Sequence, residues 1–289
     1  MHKAGRRDVR HLAGNMYLCG DDRIAVLSAD GDMLGCSPLC GAAALCLGRE
    51  NLYCAAEDGA IWRLDSQTLM PLGICCGGPG ICAMCLSDDG SRLYALLGEA
   101  DCVLMADARS GQMLAVNRCG CNPQSLALFS GILYAAGGES GSIHLYDALT
   151  LEGRGGISLP GPVYSALLST EGFYALCLTA QLSTLLIAGR GTQQHSIRLD
   201  GMPGSICIRD QHLYACTQGR LYVFDQKNIA PLGVRKAPGR ANRLRICGGE
   251  MTACDPLSEC VYRCRGGGPW IRICTGAKDM AVQERLPAG

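Results

Sequence analysis

Twenty cysteines in a chain of 289 residues are the side chains with the most evident chemical potential in this sequence. A thiolate can act as a nucleophile, as a redox group, or as a soft ligand for Zn²⁺, Cu⁺ or an iron–sulfur cluster. The first fourteen residues are basic and are not followed by an apolar run, so the sequence does not predict a secretory signal. We therefore expect a cytoplasmic protein with reduced thiols and no disulfide framework.

No other side chains form a recognisable catalytic pattern. The five histidines do not occur in HxH, HxxE or HExxH arrangements, and no Gly-x-Ser-x-Gly motif marks a nucleophilic serine. The glycine-rich stretches at 137–141 and 266–268 are not followed by a helix that could bind a phosphate, and they are typical of hairpin turns. We expect no catalytic activity, with an enzyme kept as the alternative.

A tyrosine pattern repeats about every 40 residues and organises the whole chain. An apolar residue followed by tyrosine recurs at Tyr17, Tyr53, Tyr94, Tyr134, Tyr174 and Tyr214, with Met251-Thr252 as a degenerate seventh copy. Each copy lies among short apolar or alternating segments separated by Gly, Ser, Asp or Asn, which is typical of strands and turns. The pattern predicts an all-β fold, a seven-bladed β-propeller with four antiparallel strands per blade.

The repeats account for the full length, so we predict a single domain over residues 1–289. Its blades are assigned to about 8–40, 41–77, 78–120, 121–160, 161–200, 201–238 and 239–276, followed by a C-terminal tail at 277–289. An aspartate that closes the third strand is predicted to accept hydrogen bonds from the turn after it. These aspartates are Asp65, Asp107, Asp147 and Asp225; blades one, five and seven have Ser28, Ala188 and Arg265 instead.

Residues 133–151, which read LYAAGGESGSIHLYDALTL, resemble the repeats of YVTN-type and WD-repeat-like bacterial propellers. Those repeats consist of a Leu-Tyr-Val strand, a Gly/Asp turn, and a strand that ends in Asp before a Thr-Gly-like turn. The resemblance covers nearly the whole chain and implies the propeller fold. It implies no particular function, because propellers of this architecture serve many functions, lactonases included.

Six cysteines are the candidates for a shared metal site, because they fall in fourth strands or in the links between blades. They are Cys36, Cys40, Cys75, Cys76, Cys119 and Cys121. If equivalent links lie side by side on one face, these thiols and Cys274 would form an arc of soft ligands. Their spacing is not that of a zinc ribbon, and general cysteine enrichment is the alternative. We predict no cofactor, with a thiol-bound metal left open.

Ten further cysteines fall in predicted first and second strands, where we expect them to be small apolar filler. First strands contain Cys46, Cys82, Cys85, Cys207 and Cys247, and second strands contain Cys19, Cys54, Cys177, Cys216 and Cys254. We expect these ten to be buried and unreactive. The six link cysteines should lie at the surface and react faster, because reactivity requires an accessible thiolate.

Charge is balanced at 26 basic and 26 acidic residues, so nothing drives binding to nucleic acid or to an anionic membrane. Residues 173–189 carry no charge, but they are shorter than the roughly 20 residues of a membrane span and fit strands two and three of blade five. A basic stretch is interpreted as a solvated loop between blades six and seven, with an anion-binding patch as the alternative. Its residues are Arg235, Lys236, Arg240, Arg243 and Arg245.

Two segments compete for the first strand of blade one, because a propeller must pair its last blade with its first. Residues 8–12 run directly into Met16-Tyr17, and residues 279–283 follow a glycine-containing link. We favour the N-terminal segment. The protein as a whole is expected to be a monomeric, non-catalytic scaffold that binds a protein or small-molecule ligand of unknown identity. A lactonase-like hydrolase and a thiol-ligated metal or redox protein are the alternatives.

Overall fold

The computed structural model describes residues 15–282 with several gaps. The gaps are Asp21, Asp22, Ala29, Asp30, Pro38, Cys40, Cys121, Ser140, Gly191, Thr192, Arg240, Asn242, Gly248, Gly249, Gly266 and Gly276, and the side chain of Cys247 is also outside the described part. The described residues form seven antiparallel sheets of four strands each. The predicted seven-bladed β-propeller is therefore confirmed.

Each blade runs from an innermost first strand to an outermost fourth strand. Blade one comprises β28 (Asp279–Val282), β1 (Met16–Cys19), β2 (Ile24–Leu27) and β3 (Met33–Ser37). Blade two comprises β4 (Ala42–Leu47), β5 (Asn51–Ala56), β6 (Ile61–Asp65) and β7 (Pro71–Cys75). Blade three comprises β8 (Ile81–Leu86), β9 (Arg92–Leu97), β10 (Cys102–Asp107) and β11 (Met113–Arg118).

The other four blades have the same order from the axis outwards. Blade four comprises β12 (Pro123–Phe129), β13 (Ile132–Gly137), β14 (Ser142–Asp147) and β15 (Gly153–Ser158). Blade five comprises β16 (Val163–Ser169), β17 (Gly172–Leu178), β18 (Thr184–Arg190) and β19 (Gln193–Leu199). Blade six comprises β20 (Pro203–Arg209), β21 (His212–Thr217), β22 (Arg220–Asp225) and β23 (Pro231–Lys236). Blade seven comprises β24 (Arg243–Cys247), β25 (Glu250–Asp255), β26 (Cys260–Arg265) and β27 (Ile271–Thr275).

The uncharged residues 173–189 form strands two and three of blade five, as predicted. Within the described part of the chain, no helix is long and apolar enough to cross a membrane.

The C-terminal segment closes the ring, so our preference for the N-terminal segment was wrong. In blade one, β28 pairs with β1 over four residue pairs, from Met16 opposite Val282 to Cys19 opposite Asp279. Met280 is buried between blades seven and one, and Ala281 is buried between blades one and two. The competing residues 8–12 lie outside the described residues. The tail is preferred because it places two apolar residues in the core and the carboxylate of Asp279 beside Arg243.

The repeating tyrosines are in register, as predicted, and they join successive blades. Each lies on a second strand, and each pairs with an equivalent first-strand residue; Tyr53 pairs with Cys46 and Tyr94 with Cys85, for example. The Tyr94 hydroxyl donates to the carbonyl of Ala148, one residue beyond Asp147 in the next blade, at 2.5 Å. The hydroxyls of Tyr17, Tyr53 and Tyr174 donate likewise to Ser66, Ala108 and Gln226.

The predicted turn aspartates supply the other half of this connection. Asp147 accepts hydrogen bonds from the amides of Leu149 and Thr150 at 2.8 and 3.0 Å. Equivalent bonds at Asp65, Asp107 and Asp225 fix the same turn in blades two, three and six. Hydrogen bonds from backbone amides hold the pKa of Asp65, Asp107 and Asp147 below the ordinary value. The aspartate therefore shapes a turn whose carbonyl the tyrosine of the preceding blade binds.

Arginine replaces this aspartate in blades five and seven. Because Gly189 pairs with Phe173, the residue equivalent to the aspartate in blade five is Arg190 rather than Ala188. Arg190 pairs with Glu171, and Arg265 in blade seven pairs with Glu250. A salt bridge to the second-strand hairpin thus takes the place of the aspartate turn.

The core consists of apolar clusters between neighbouring blades. Seven such clusters occur in the described part of the chain, one for each blade-to-blade interface. Tyr94, Leu133 and Tyr146, for example, pack together between blades three and four. The blades are consequently fixed to one another by apolar burial, which positions their first strands around the axis.

Candidate functional site

The four described link cysteines lie in different environments. Cys36 is exposed on outermost strand β3, and Cys76 is half-buried directly after β7. Cys75 and Cys119 are only 3% and 0% exposed. Our expectation that the link cysteines lie at the surface is therefore wrong for Cys75 and Cys119. The other two candidates, Cys40 and Cys121, lie outside the described residues.

Burial of these thiols follows from how the chain leaves the fourth strand. The chain continues from there towards the next blade, and Cys75 packs in the cluster between blades two and three, and Cys119 in the cluster between blades three and four. Burial raises the pKa of Cys75, and it raises that of Cys119 to about 12. Among the described residues, no three His, Cys, Asp or Glu side chains are grouped closely enough to hold a metal ion. Our prediction of no cofactor, with a thiol-bound metal left open, stays a prediction.

The second-strand cysteines are buried, as expected for apolar filler. Cys19, Cys54, Cys177, Cys216 and Cys254 are each about 1% exposed or less. Our expectation that the first-strand cysteines are buried is wrong for four of them, since Cys46, Cys82, Cys85 and Cys207 are half-buried. Of these, Cys46, Cys85 and Cys207 line a cavity along the axis. Their place in the fold therefore calls for a functional explanation beyond packing.

This cavity is the central channel of the propeller, with a volume of about 690 Å³. Seven structurally equivalent residues, each opposite the repeat's tyrosine or its counterpart Thr252, line one level of it. We call this set the Arg245 ring; it comprises Ala281, Cys46, Cys85, Ala127, Leu167, Cys207 and Arg245. A single cation thus faces the channel at this level among thiols and apolar side chains.

Burial keeps the thiols of the Arg245 ring protonated. Desolvation raises the pKa of Cys46 and of Cys207 to about 12, although the nearby charge of Arg245 acts in the opposite direction. Desolvation raises the pKa of Cys85 well above its usual value. Near neutral pH these three side chains are uncharged parts of the channel wall.

A salt bridge between the neighbouring first strands of blades seven and one lies two residues from the Arg245 ring. The Nε atom of Arg243 donates to Asp279 Oδ1 at 3.0 Å, and Asp279 Oδ2 accepts from the amide of Leu45 at 2.9 Å. The Nη2 atom of Arg243 also reaches the carbonyl of Cys82 at 3.5 Å, on the opposite side of the channel. Asp279 is 4% exposed, and the Arg243 side chain extends from blade seven towards blade three at this level of the channel.

The basic stretch is therefore divided, and our interpretation of it as a solvated loop was wrong for Arg243 and Arg245. Arg235 and Lys236 lie on the exposed outermost strand β23, whereas Arg243 and Arg245 lie on innermost strand β24. Arg240 is outside the described residues. The signal that could have located the channel arginines is the alignment of residues 243–246 with the other first strands, since residues 243 and 245 then share one side of a strand.

The outermost strands form a second candidate surface, which runs around the side of the propeller. Large apolar side chains are exposed on these strands in blades six, seven, one, two and three, which adjoin one another around the ring. They are Leu232, Val234, Ile271, Met33, Leu34, Leu72, Ile74, Met113, Leu114 and Val116. We call this set the apolar belt. In blades four and five the outermost strands read GRGGIS and QQHSIRL and expose mainly glycine and polar side chains.

Comparison with solved structures finds the same fold in proteins of low sequence identity. A functionally unknown protein from Desulfotomaculum acetoxidans is 11% identical, with a TM-score of 0.82 over 94% of this chain and 99% of that chain. A chain of the Mitotic Checkpoint Complex is 16% identical, with a TM-score of 0.60 over 68% of this chain and 66% of that chain. The β-propeller domain of Cps50 (Swd1) from Myceliophteria thermophila is 17% identical, with a TM-score of 0.54 over 64% and 66% of the two chains.

Sequence comparison adds no narrower classification. No protein-family model matches the chain, and no curated protein matches it. The resemblance to YVTN-type repeats stays a prediction at the level of the family. The strand topology and the similar structures together show the β-propeller fold, with seven blades in this chain.

Proposed function

We propose that this propeller is a non-catalytic scaffold that binds a protein partner through the apolar belt. The observation that carries this proposal is the exposure of ten large apolar side chains on five adjoining outermost strands. Exposed apolar patches on a soluble protein often mark interaction sites, and outermost strands also present unpaired backbone groups. The polar outermost strands of blades four and five give the surface a defined boundary.

The charges on the belt indicate what kind of partner it fits. Its five outermost strands contain Arg118, Arg235, Lys236 and Arg272, and none of these strands contains Asp or Glu. An apolar surface bordered by acidic residues complements this pattern. A second copy of the chain would place like charges against one another, so the proposed occupant is a different protein.

The similar structures and the channel chemistry are consistent with a binding role. One similar structure is part of the Mitotic Checkpoint Complex, a protein assembly, although that likeness concerns the fold alone. The three thiols of the Arg245 ring are protonated near neutral pH, which disfavours their use as nucleophiles.

The experiment compares belt variants with a matched variant outside the belt. The double substitutions Leu72→Ser with Ile74→Ser, and Leu232→Ser with Val234→Ser, remove apolar surface from blades two and six. Gln193→Ser with His195→Ser alters the polar outermost strand of blade five at equally exposed positions. All are made in the full chain, and thermal unfolding checks that each variant is folded.

Affinity capture from the source cells identifies candidate partners, which are then purified and titrated against each variant. We expect at least one partner whose affinity is unchanged by the blade-five variant and falls about tenfold or more for both belt variants, since loss of buried apolar area weakens an interface. Increasing the salt concentration should also lower the affinity of this partner, because salt screens the charges on the belt. The proposal is overturned if both belt variants retain every partner, or if sedimentation shows that the belt joins two copies of this chain.

A further inference from the structure

The channel has the dimensions and lining of a ligand site. Its volume of about 690 Å³ falls within the range of small-molecule pockets. The Arg243–Asp279 pair lies on one side of the Arg245 ring. On the other side the lining consists largely of aliphatic side chains, namely Leu47, Leu86, Leu168, Ile208 and Val282.

Arg245 is the one channel cation without a carboxylate partner among the described residues. The adjacent residues Leu244 and Ile246 are buried and half-buried, whereas Arg245 is exposed to the channel. Its Nη1 atom donates to the carbonyl of Leu244 at 3.2 Å. The Nε and Nη2 edge of the guanidinium is left available for a bidentate contact with an anion.

The other side chains that line the channel are compatible with a negatively charged ligand group bound at Arg245. Arg243 is neutralised by Asp279, so the net charge that the channel presents is the single positive charge of Arg245. The Ser165 hydroxyl accepts a hydrogen bond from the amide of Ile206 at 3.2 Å, which leaves its own hydrogen free to donate. The uncharged thiols and aliphatic groups provide the apolar part of a wall that also carries serine hydroxyls.

We propose that the central channel binds a small organic monoanion, a carboxylate with an apolar body, whose carboxylate pairs with Arg245. A guanidinium matches the two oxygens of a carboxylate in a bidentate geometry. An aliphatic body would lie against the leucine, isoleucine and valine side chains of the channel. A phosphate dianion fits less well, because one free cation and a partly apolar wall do not offset the loss of its hydration.

Octanoate is the probe that tests this site by isothermal titration with the full chain. Octanol has the same apolar body without charge, octylamine reverses the charge, and inorganic phosphate supplies an anion without an apolar body. Octanoate should bind about tenfold or more tightly than octanol or octylamine, which corresponds to about 1.4 kcal/mol. Phosphate should bind more weakly than octanoate.

Variants assign the binding to Arg245. Arg245→Gln should weaken octanoate binding at least about tenfold and leave octanol binding unchanged. Arg245→Lys keeps the positive charge but loses the bidentate geometry of the guanidinium. Its affinity for octanoate should lie between that of Arg245→Gln and that of the wild type. Arg198→Gln, on the exposed and polar outermost strand of blade five, removes an arginine outside both the channel and the apolar belt and should have no effect.

A second measurement does not depend on the variants being folded. Bound octanoate should slow alkylation of Cys46 and Cys207 in the wild-type protein and leave the rate at Cys36, on the outside of the propeller, unchanged. The inference is overturned if octanol binds as tightly as octanoate, if phosphate binds as tightly, if Arg245→Gln retains full affinity, or if octanoate does not protect the channel thiols.

Discussion

The innermost and outermost strands of the same blades place similar side chains in opposite environments. In blade two, Cys46 on β4 faces an enclosed channel, and Leu72 and Ile74 on β7 are 49% and 55% exposed. The seven first strands contact one another around the axis, so every side chain there has neighbours from other blades. The outermost strands diverge and have solvent on one side. The distance of a residue from the axis, more than its type, therefore decides whether a cysteine or leucine lines the channel, is buried in the core or is exposed at the outer surface.

Removing an innermost strand should have the largest effect on the molecule. Deletion of residues 277–289 removes β28, leaves one side of β1 unpaired, and takes away the partner of Arg243. We expect no folded protein in the soluble fraction, as measured by circular dichroism and size-exclusion chromatography. Deletion of residues 283–289 alone keeps β28 and should be tolerated. Folding of the longer deletion would mean that another segment closes blade one.

The salt bridges of the two regions should differ strongly in their contribution to stability. Arg243→Met leaves Asp279 buried without its partner and should lower the free energy of unfolding by about 3 kcal/mol. Arg220, the first residue of β22, pairs with Asp200, which follows β19, and the two side chains are 52% and 73% exposed. Arg220→Met should cost about 0.5 kcal/mol or less. Denaturant unfolding of the two variants measures the difference; equal losses would contradict the buried role of Asp279.

Thiol alkylation compares the two regions with a chemical probe. Cys36 is exposed on an outermost strand and should be labelled first. Cys46 and Cys207 have pKa values raised to about 12, so at pH 8 only about one thiol in ten thousand is a thiolate. Their labelling should be at least about a hundredfold slower than that of Cys36. Because the pH is below a raised pKa, their rate should rise about tenfold per pH unit between pH 8 and 10.

Mass mapping after timed labelling assigns each rate to its cysteine. Cys75 and Cys119 serve as a further comparison, since both are buried although the sequence placed them with Cys36. They should react as slowly as the channel thiols. Labelling of Cys119 as fast as Cys36 would show that the links open readily in solution.

The fold could be predicted from the sequence because its signals are local. The tyrosine spacing fixes the blade number, and each turn aspartate marks the end of a third strand through bonds to residues two and three positions later. The strand that closes the ring could not be predicted with the same means. Its choice depends on Asp279 meeting Arg243 and Leu45, and the latter is 234 residues away in the sequence.

The channel site depends on the same long-range geometry. Cys46, Cys85 and Cys207 look like filler in their own strands, and Arg245 looks like part of a basic loop. Only closure of the ring brings these residues to one level of the channel. Our prediction that the link cysteines are exposed was wrong for a related reason. Their exposure depends on the path of the chain from one blade to the next, which local sequence does not define.

The second strands lie between the innermost and outermost strands. Removing the hydroxyl of a second-strand tyrosine should have a small effect on the free energy of unfolding. The Tyr94 hydroxyl donates to Ala148 in the neighbouring blade, and Tyr94→Phe should lower the free energy of unfolding by about 1 kcal/mol. Tyr214 occupies the equivalent position before blade seven, where Arg265 replaces the aspartate. Among the described residues, its hydroxyl makes no hydrogen bond, and its ring contacts His212.

Tyr214→Phe should therefore change the unfolding free energy by only a few tenths of a kcal/mol, as measured in the same denaturant titration. The pair separates two contributions of the repeat's tyrosine, because both substitutions keep the ring and remove only the hydroxyl. A loss at Tyr94 alone assigns the cost to the bond that joins blades three and four. Equal losses would instead show that the hydroxyl contributes in the same way in every blade, whether or not an aspartate turn faces it.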